Sequence, residues 1–326
     1  MSFNNIIGNS RVKNILKKGL KRERIPNSLL FLGPDGVGKR ETALVLAKAM
    51  NCLSRSDDSC EECANCRAIN NENFPDVLVL APEKDVIGID EIRMLKQIAY
   101  LRPMVGKRRV FIVLEAEKMT EPASNSVLKI LEEPPLFSHI FLTSRNPYLI
   151  LSTVRSRCQI LTFSQISRKD IQKELINNGY DEYKAGLISL LVKGNLEQAM
   201  NLKWEDVQSK RQRAWELFQA LTGGKNAAGM FKKFFSSGKE FRKELEQILE
   251  ILITLMRDLL LIKSSRGRGL LLNPDYADKI GETAGVLSVE KSMAYLKLLE
   301  SIYYSLQKRV NANLLVSSLF SEIIPG

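Results

Sequence analysis

Two groups of residues in this chain have the types and spacing that chemistry requires. Gly33-Pro34-Asp35-Gly36-Val37-Gly38-Lys39-Arg40 follows an apolar run, opens a helical stretch and fits the G-x-x-x-x-G-K phosphate-loop pattern. Its glycines (Gly33, Gly36, Gly38) let the backbone turn sharply and offer N–H groups to phosphate oxygens. The helix start adds partial positive charge, and Lys39 would reach the outer phosphates. The second group is Cys52-x7-Cys60-x2-Cys63-x2-Cys66. Four thiolates are what a closed tetrahedral zinc site takes, and x2 spacings let sulfurs converge from a tight turn. Without a secretion signal, such crowding points to structural zinc rather than disulfides, with redox chemistry as the main rival and four unrelated buried cysteines after it. A site of that kind contributes on the order of 10 kcal/mol or more to local folding. Cys158 stands outside the cluster, and His139, the only histidine, reads as a strand residue.

The phosphate loop lacks its means of holding magnesium. The position after Lys39 should carry a hydroxyl for Mg²⁺ but is Arg40, a cation with no lone pair to offer. Thr42 cannot replace it, because two residues along a helix is about 200° around its axis. A second acidic site should close a later strand with Asp-Glu, yet that strand ends Leu114-Glu115. A shifted register in which Glu115 itself holds the metal is the alternative. ATP and Mg²⁺ binding is therefore doubtful, and turnover should be badly impaired.

The elements that must position these groups alternate strand and helix. Leu29–Leu32, Asp76–Leu80, Val110–Leu114 and His139–Thr143 read as buried strands. Helical patterns run from Lys39 to Met50 and through Ile92, Leu95 and Tyr100 to a stop near Pro103. Such runs predict a parallel sheet covered on both faces. Strand signals cease after about residue 163. Ser167–Met200 reads as short helices, and from about 206 the pattern is helical, broken at Gly223-Gly224 and at a polar loop, Ser264–Gly269. Leu245, Ile248, Leu249, Leu252, Leu255, Met256 and Leu259 form a stripe of core or subunit-packing type.

At 326 residues and 44% hydrophobic content, two or three globular domains are expected. No apolar signal region follows a basic start, and Ile248–Ile262 is interrupted by Glu250, Arg257 and Asp258. A cytoplasmic protein without membrane contact is the expectation. The net charge of +11 raises the odds of a polyanionic partner, but the basic residues are scattered.

Further motifs resemble the clamp-loader subunits of bacterial DNA polymerase III, an AAA+ family. They are Ile89-Asp90-Glu91-Ile92-Arg93, Asn125-Ser126-Val127-Leu128-Lys129-Ile130-Leu131-Glu132-Glu133-Pro134-Pro135 and Thr153-Val154-Arg155-Ser156-Arg157-Cys158, with Asn311-Ala312-Asn313-Leu314 near the end. The resemblance implies an α/β AAA+ P-loop domain over 1–163 with a zinc module at about 52–66, a helical lid domain over 164–205 and an all-α collar for oligomerisation over 206–326. It implies that Arg157 acts in trans on ATP held by a neighbouring subunit. It also places Thr143–Pro147 at the family's first sensor and Gly194-Asn195-Leu196-Glu197 at the second, with Glu197 where an arginine would touch phosphate. Implied partners are the loader's motor (gamma/tau) and clamp-opening (delta) subunits and, through the complex, the sliding clamp and primer–template DNA. Lys107, Arg108 and Arg109 are weak candidates for DNA contact. The missing magnesium ligands favour a member that does not hydrolyse ATP. A hydrolysing motor and a non-replicative zinc-containing nucleotide-binding regulator remain the alternatives.

Overall fold

Five parallel strands form one sheet in the order β2-β3-β4-β1-β5: β1 Ser28–Leu32, β2 Val77–Leu80, β3 Arg109–Val113, β4 Ser138–Ser144 and β5 Gln159–Thr162. Every residue of β1, β3 and β4 is buried, because helices cover both faces. Leu30, Leu32, Phe111, Val113, Ile140 and Leu142 pack with Ile92, Leu95, Val127 and Ile130 of two helices, Ile89–Ala99 and Glu121–Glu132. The fifth strand had no signal in the sequence. It is an edge strand with only Leu161 buried, so it reads as polar.

The computed structural model describes residues 1–54, 57–83, 85–223, 241–264 and 270–307. The Asn311-Ala312-Asn313-Leu314 stretch and most of the 264–269 loop lie outside the described residues. Two compact units result. One holds Met1–Asn177 with Val192–Met200, and the other holds Asn178–Leu191 with the rest of the chain from Asn201. The 164–205 segment is thus shared between them, with helix Arg168–Asn177 in the first and Glu182–Leu191 in the second.

In the second unit, helices Trp204–Gly223, Phe241–Lys263 and Val289–Gln307 bury one apolar core, including Trp215, Phe218, Leu252, Leu255, Leu299 and Ile302. The stripe from Leu245 to Leu259 is core packing throughout. No helix among the described residues is long and apolar enough to cross a membrane.

Buried charge holds the strand starts of the first unit. Asp76, fully buried just before β2, accepts the N–H groups of Met104, Val105 and Gly106 at 2.7–2.9 Å and the Arg109 guanidinium at 2.6 Å. Burial pushes the Asp76 carboxyl up, but those N–H groups and Arg109 outweigh it and leave it below the usual carboxylate range. Arg109 therefore does not sit on a solvated turn and is not available to DNA. Arg108 donates to the Leu136 carbonyl, and Lys107 is exposed.

His139 is buried on β4 with Nδ1 donating to the Pro26 carbonyl. Desolvation, with Arg108 adding, pushes its imidazole down to about 4. Its folded value lies below its unfolded one, so stability is complete above the unfolded value and falls as acid protonates the unfolded chain. The loss accrues between pH 6.5 and 4 and reaches about 3 kcal/mol. Urea midpoints of the wild type are expected to fall more steeply from pH 7 to pH 5 than those of His139→Asn. Asp76→Asn leaves Arg109 buried without its charge partner and is expected to cost about 3–5 kcal/mol in urea denaturation at neutral pH.

Candidate functional site

The site sits where open parallel sheets bind ligands, at the carboxyl ends of the strands where the chain reverses direction across the sheet. Here β1 lies between β4 and β5, and the loop leaving β1 is the glycine-rich one. Gly33 donates its N–H to the Ser144 carbonyl at 3.1 Å, and a Cβ on Gly33 would lie 2.5 Å from the Phe163 carbonyl oxygen. Gly36 and Gly38 have φ of +68° and +88°, a left-handed backbone that only glycine adopts without strain. Gly38 caps the helix Lys39–Asn51, which is α2 because helix Ser10–Lys21 (α1) precedes it. The loop therefore has the turn that its sequence requires.

Its side chains are committed elsewhere. The Lys39 ammonium donates to the carbonyls of Gly33 and Pro34, each at 2.5 Å, so it curls onto its own loop. Burial lowers its pKa, opposed by the carboxylates of Asp35, Glu117, Glu41 and Glu115. Thr42 is buried and donates its hydroxyl to the Gly38 carbonyl at 2.6 Å. The Arg40 guanidinium is drawn 3.4 Å from Glu72, where a carboxylate partner is available.

At the end of β3, Glu115 takes a left-handed conformation (φ +48°). It donates its N–H to Thr143 Oγ1 at 3.1 Å and pairs with Lys118 at 2.8 Å. Lys118 also holds Asp85, and these acids raise its pKa. Glu117, which carried no signal in the sequence, is buried beside Arg145 with Oε2 unpartnered. Asn195 lies directly against Gly36, and the following N–H, from Leu196, donates to the Gly36 carbonyl at 2.9 Å. A cavity of about 200 Å³ beside the loop is walled by Ile6, Ile7, Ile166 and Met200 and carries the acids Glu41 and Glu197. Arg40 stands where the Mg²⁺-binding hydroxyl belongs, and the carboxylates of Asp35, Glu41, Glu115 and Glu117 gather around Lys39, where the triphosphate's own negative charge would lie. This set does not fit a magnesium nucleotide.

The four cysteines, in contrast, converge. Their sulfurs all lie within 4.8 Å of one another, with Cys60 and Cys66 4.0 Å apart. Edges of a zinc–thiolate tetrahedron are about 3.8 Å, so the set fits one ion. Cys63 donates its N–H to Cys60 Sγ at 3.3 Å and Cys66 to Cys63 Sγ at 3.5 Å. The N–H groups of Cys63 and Glu62 hold the Cys60 thiol down to about 6. Burial drives Cys66 up to about 12, so its thiolate needs a cation beside it. Cys63 also starts the short helix Ala64–Asn70.

The cysteine segment is tied to α2. Buried Lys48 pairs with Glu61 at 2.8 Å and donates to Asn70 Oδ1 at 2.8 Å, and Asn65 donates to the Asn51 carbonyl at 2.8 Å. Burial alone would raise Glu61, yet Lys48 and its other donors hold it down to about 2.

Arg157 stands apart from both centres. It follows the short helix Ser152–Arg155, is a third exposed, and is paired with Glu132 at the end of helix Glu121–Glu132.

The isolated chain is expected to show no Mg²⁺-dependent ATP hydrolysis above background in a phosphate-release assay. Arg40→Thr alone should leave it there, because Glu115 stays paired with Lys118 and no carboxylate occupies position 114.

Two family models match the chain, one described as the DNA polymerase III delta subunit over residues 8–167 and one as its C-terminal part over residues 207–323. The DNA polymerase III subunit delta' of Bacillus subtilis is 29% identical over 319 residues, 96% of this chain and 94% of that protein. Subunit tau of the same organism is 28% identical over 287 residues, and gamma/tau of Mycoplasma pneumoniae 33% over 174. Those alignments take in 81% and 53% of this chain, which spans about half of the first relative and a quarter of the second. A gamma subunit-related protein of Thermotoga maritima aligns over 90% of this chain and 98% of its own, at 20% identity and TM-score 0.39, too loose a likeness to carry a conclusion. With models of one family matching nearly all of its α/β part and its helical C-terminal part, the chain belongs to the clamp-loader subunits of bacterial DNA polymerase III.

Proposed function

We propose that, within this family, the chain fills the delta-prime role. It is a cytoplasmic AAA+ stator, largely without ATPase activity, that supplies Arg157 to ATP held by a neighbouring motor subunit during loading of the sliding clamp onto primed DNA. One observation carries this reading. The chain's own phosphate loop is folded and yet carries Arg40 in place of the magnesium-binding hydroxyl, while Arg157 stays a third exposed. An arginine reaching a neighbour's γ-phosphate stabilises charge that develops in phosphoryl transfer, worth roughly 10³–10⁵ in rate. Gamma/tau and delta subunits would be its direct partners. Residues 164–205 would act as a lid and 206–326 as a collar joining the subunits.

The motor reading has support in the gamma/tau relatives that also align with this chain. It demands magnesium-dependent turnover by the chain itself, which Arg40 at the hydroxyl position and the pairing of Glu115 with Lys118 disfavour.

The four thiols are proposed to hold one structural Zn²⁺. With four protein ligands the ion would have no open position for water or substrate, so its contribution is to folding. The thiols would hold the metal, and Lys48, Asn51 and Asn70 would tie the centre to α2.

Two measurements test these roles. In a complex reconstituted with the motor and delta subunits, Arg157→Ala is expected to cut DNA-stimulated ATPase at least 10²-fold with assembly unchanged on gel filtration. An undiminished rate would refute the finger. Metal analysis is expected to find one zinc per chain, and Cys63→Ser should abolish it and lower the thermal midpoint. A full metal content in that variant would exclude the four-thiol site.

A further inference from the structure

Arg157 does not hang free, and the way it is held has a consequence for what it can do. A guanidinium carries five N–H donors in a planar fork. Nε donates to Glu132 Oε1 at 2.5 Å, and Nη2 on the same edge pairs with that oxygen. Nη1 donates to the Thr153 carbonyl at 2.9 Å. Three donors are thus engaged by the chain itself. Two donors remain, one on each terminal nitrogen, and a bidentate contact to an oxyanion takes such a pair.

From this donor count we infer that Glu132 is a positioning residue for Arg157, holding the guanidinium by its inner edge so that the outer fork is presented to a phosphate on a neighbouring chain. The inference rests on the proposed trans role of Arg157. The location of Glu132 supports it. A carboxylate in the last turn of a helix faces the negative end of the dipole, which disfavours it by about 0.3–1 kcal/mol. Glu132 is the last residue of helix Glu121–Glu132 and is followed by Glu133, so it is poorly placed for the helix. Its favourable partner is Arg157. A free arginine side chain carries about 2 kcal/mol of rotamer entropy. Anchoring it on a helix end and a backbone carbonyl spends that cost during folding instead of at the encounter with phosphate.

Glu132 is 46% exposed, so truncating it leaves the core intact. In the reconstituted complex, Glu132→Ala is expected to lower kcat of the DNA-stimulated ATPase about tenfold. KM for ATP should change less than twofold. Glu132→Gln should recover at least half of the loss, because its amide oxygen still accepts from Nε. Added to Arg157→Ala, Glu132→Ala should cost nothing more, since the group it positions is gone. If Arg157→Ala itself is without effect, the trans role fails and takes this inference with it. If Arg157→Ala is severe while Glu132→Ala runs at the wild-type rate or faster, or if the two losses multiply independently, positioning by Glu132 alone is refuted.

Discussion

Magnesium nucleotide chemistry at a phosphate loop depends on oxygen ligands held within reach of the outer phosphates, and backbone shape cannot supply them. In this molecule the two requirements come apart. The turn after β1 is built by Gly33, Gly36 and Gly38, by the close approach of Phe163 and by the packing of a buried parallel sheet. All of these serve the fold whether or not a nucleotide binds. The Lys39 ammonium donates to the carbonyls of Gly33 and Pro34, and the Thr42 hydroxyl donates to the Gly38 carbonyl.

The cysteine centre belongs to the same economy of structure. It follows directly from α2, the helix that the phosphate loop opens, and buried Lys48 on that helix pairs with Glu61, which lies between Cys60 and Cys63. The buried cation is acceptable because Glu61 and Asn70 meet it with charge-assisted hydrogen bonds. A metal in that centre would brace the far end of the helix that begins at Lys39.

The sequence was most informative where chemistry is local. Four cysteines close along the chain converge in space, and the glycine pattern adopts the turn it requires. Strands β1 to β4 were legible because a doubly covered parallel sheet makes continuous apolar runs, whereas β5 was hidden by its exposed edge position. Pairings that span long separations left no trace. Asp76 with Arg109 looked like a strand residue and a surface base, and Glu117 looked like one more charged residue near a turn. Nor could residue types reveal that Arg40 is drawn away to Glu72, or that Glu115 is neutralised by Lys118. Such orientations follow from which partner is nearest in the folded chain.

The central claim is that this chain lends charge to a reaction conducted on another subunit. Its most direct measurement is the affinity of the reconstituted complex for ADP–aluminium fluoride, which imitates the planar phosphoryl group in transfer, compared with its affinity for ADP. With Arg157 present, the mimic should bind the motor subunit at least a hundredfold more tightly than in the Arg157→Ala complex, with ADP affinity alike in both. Equal affinity for the mimic in the two complexes would contradict the claim.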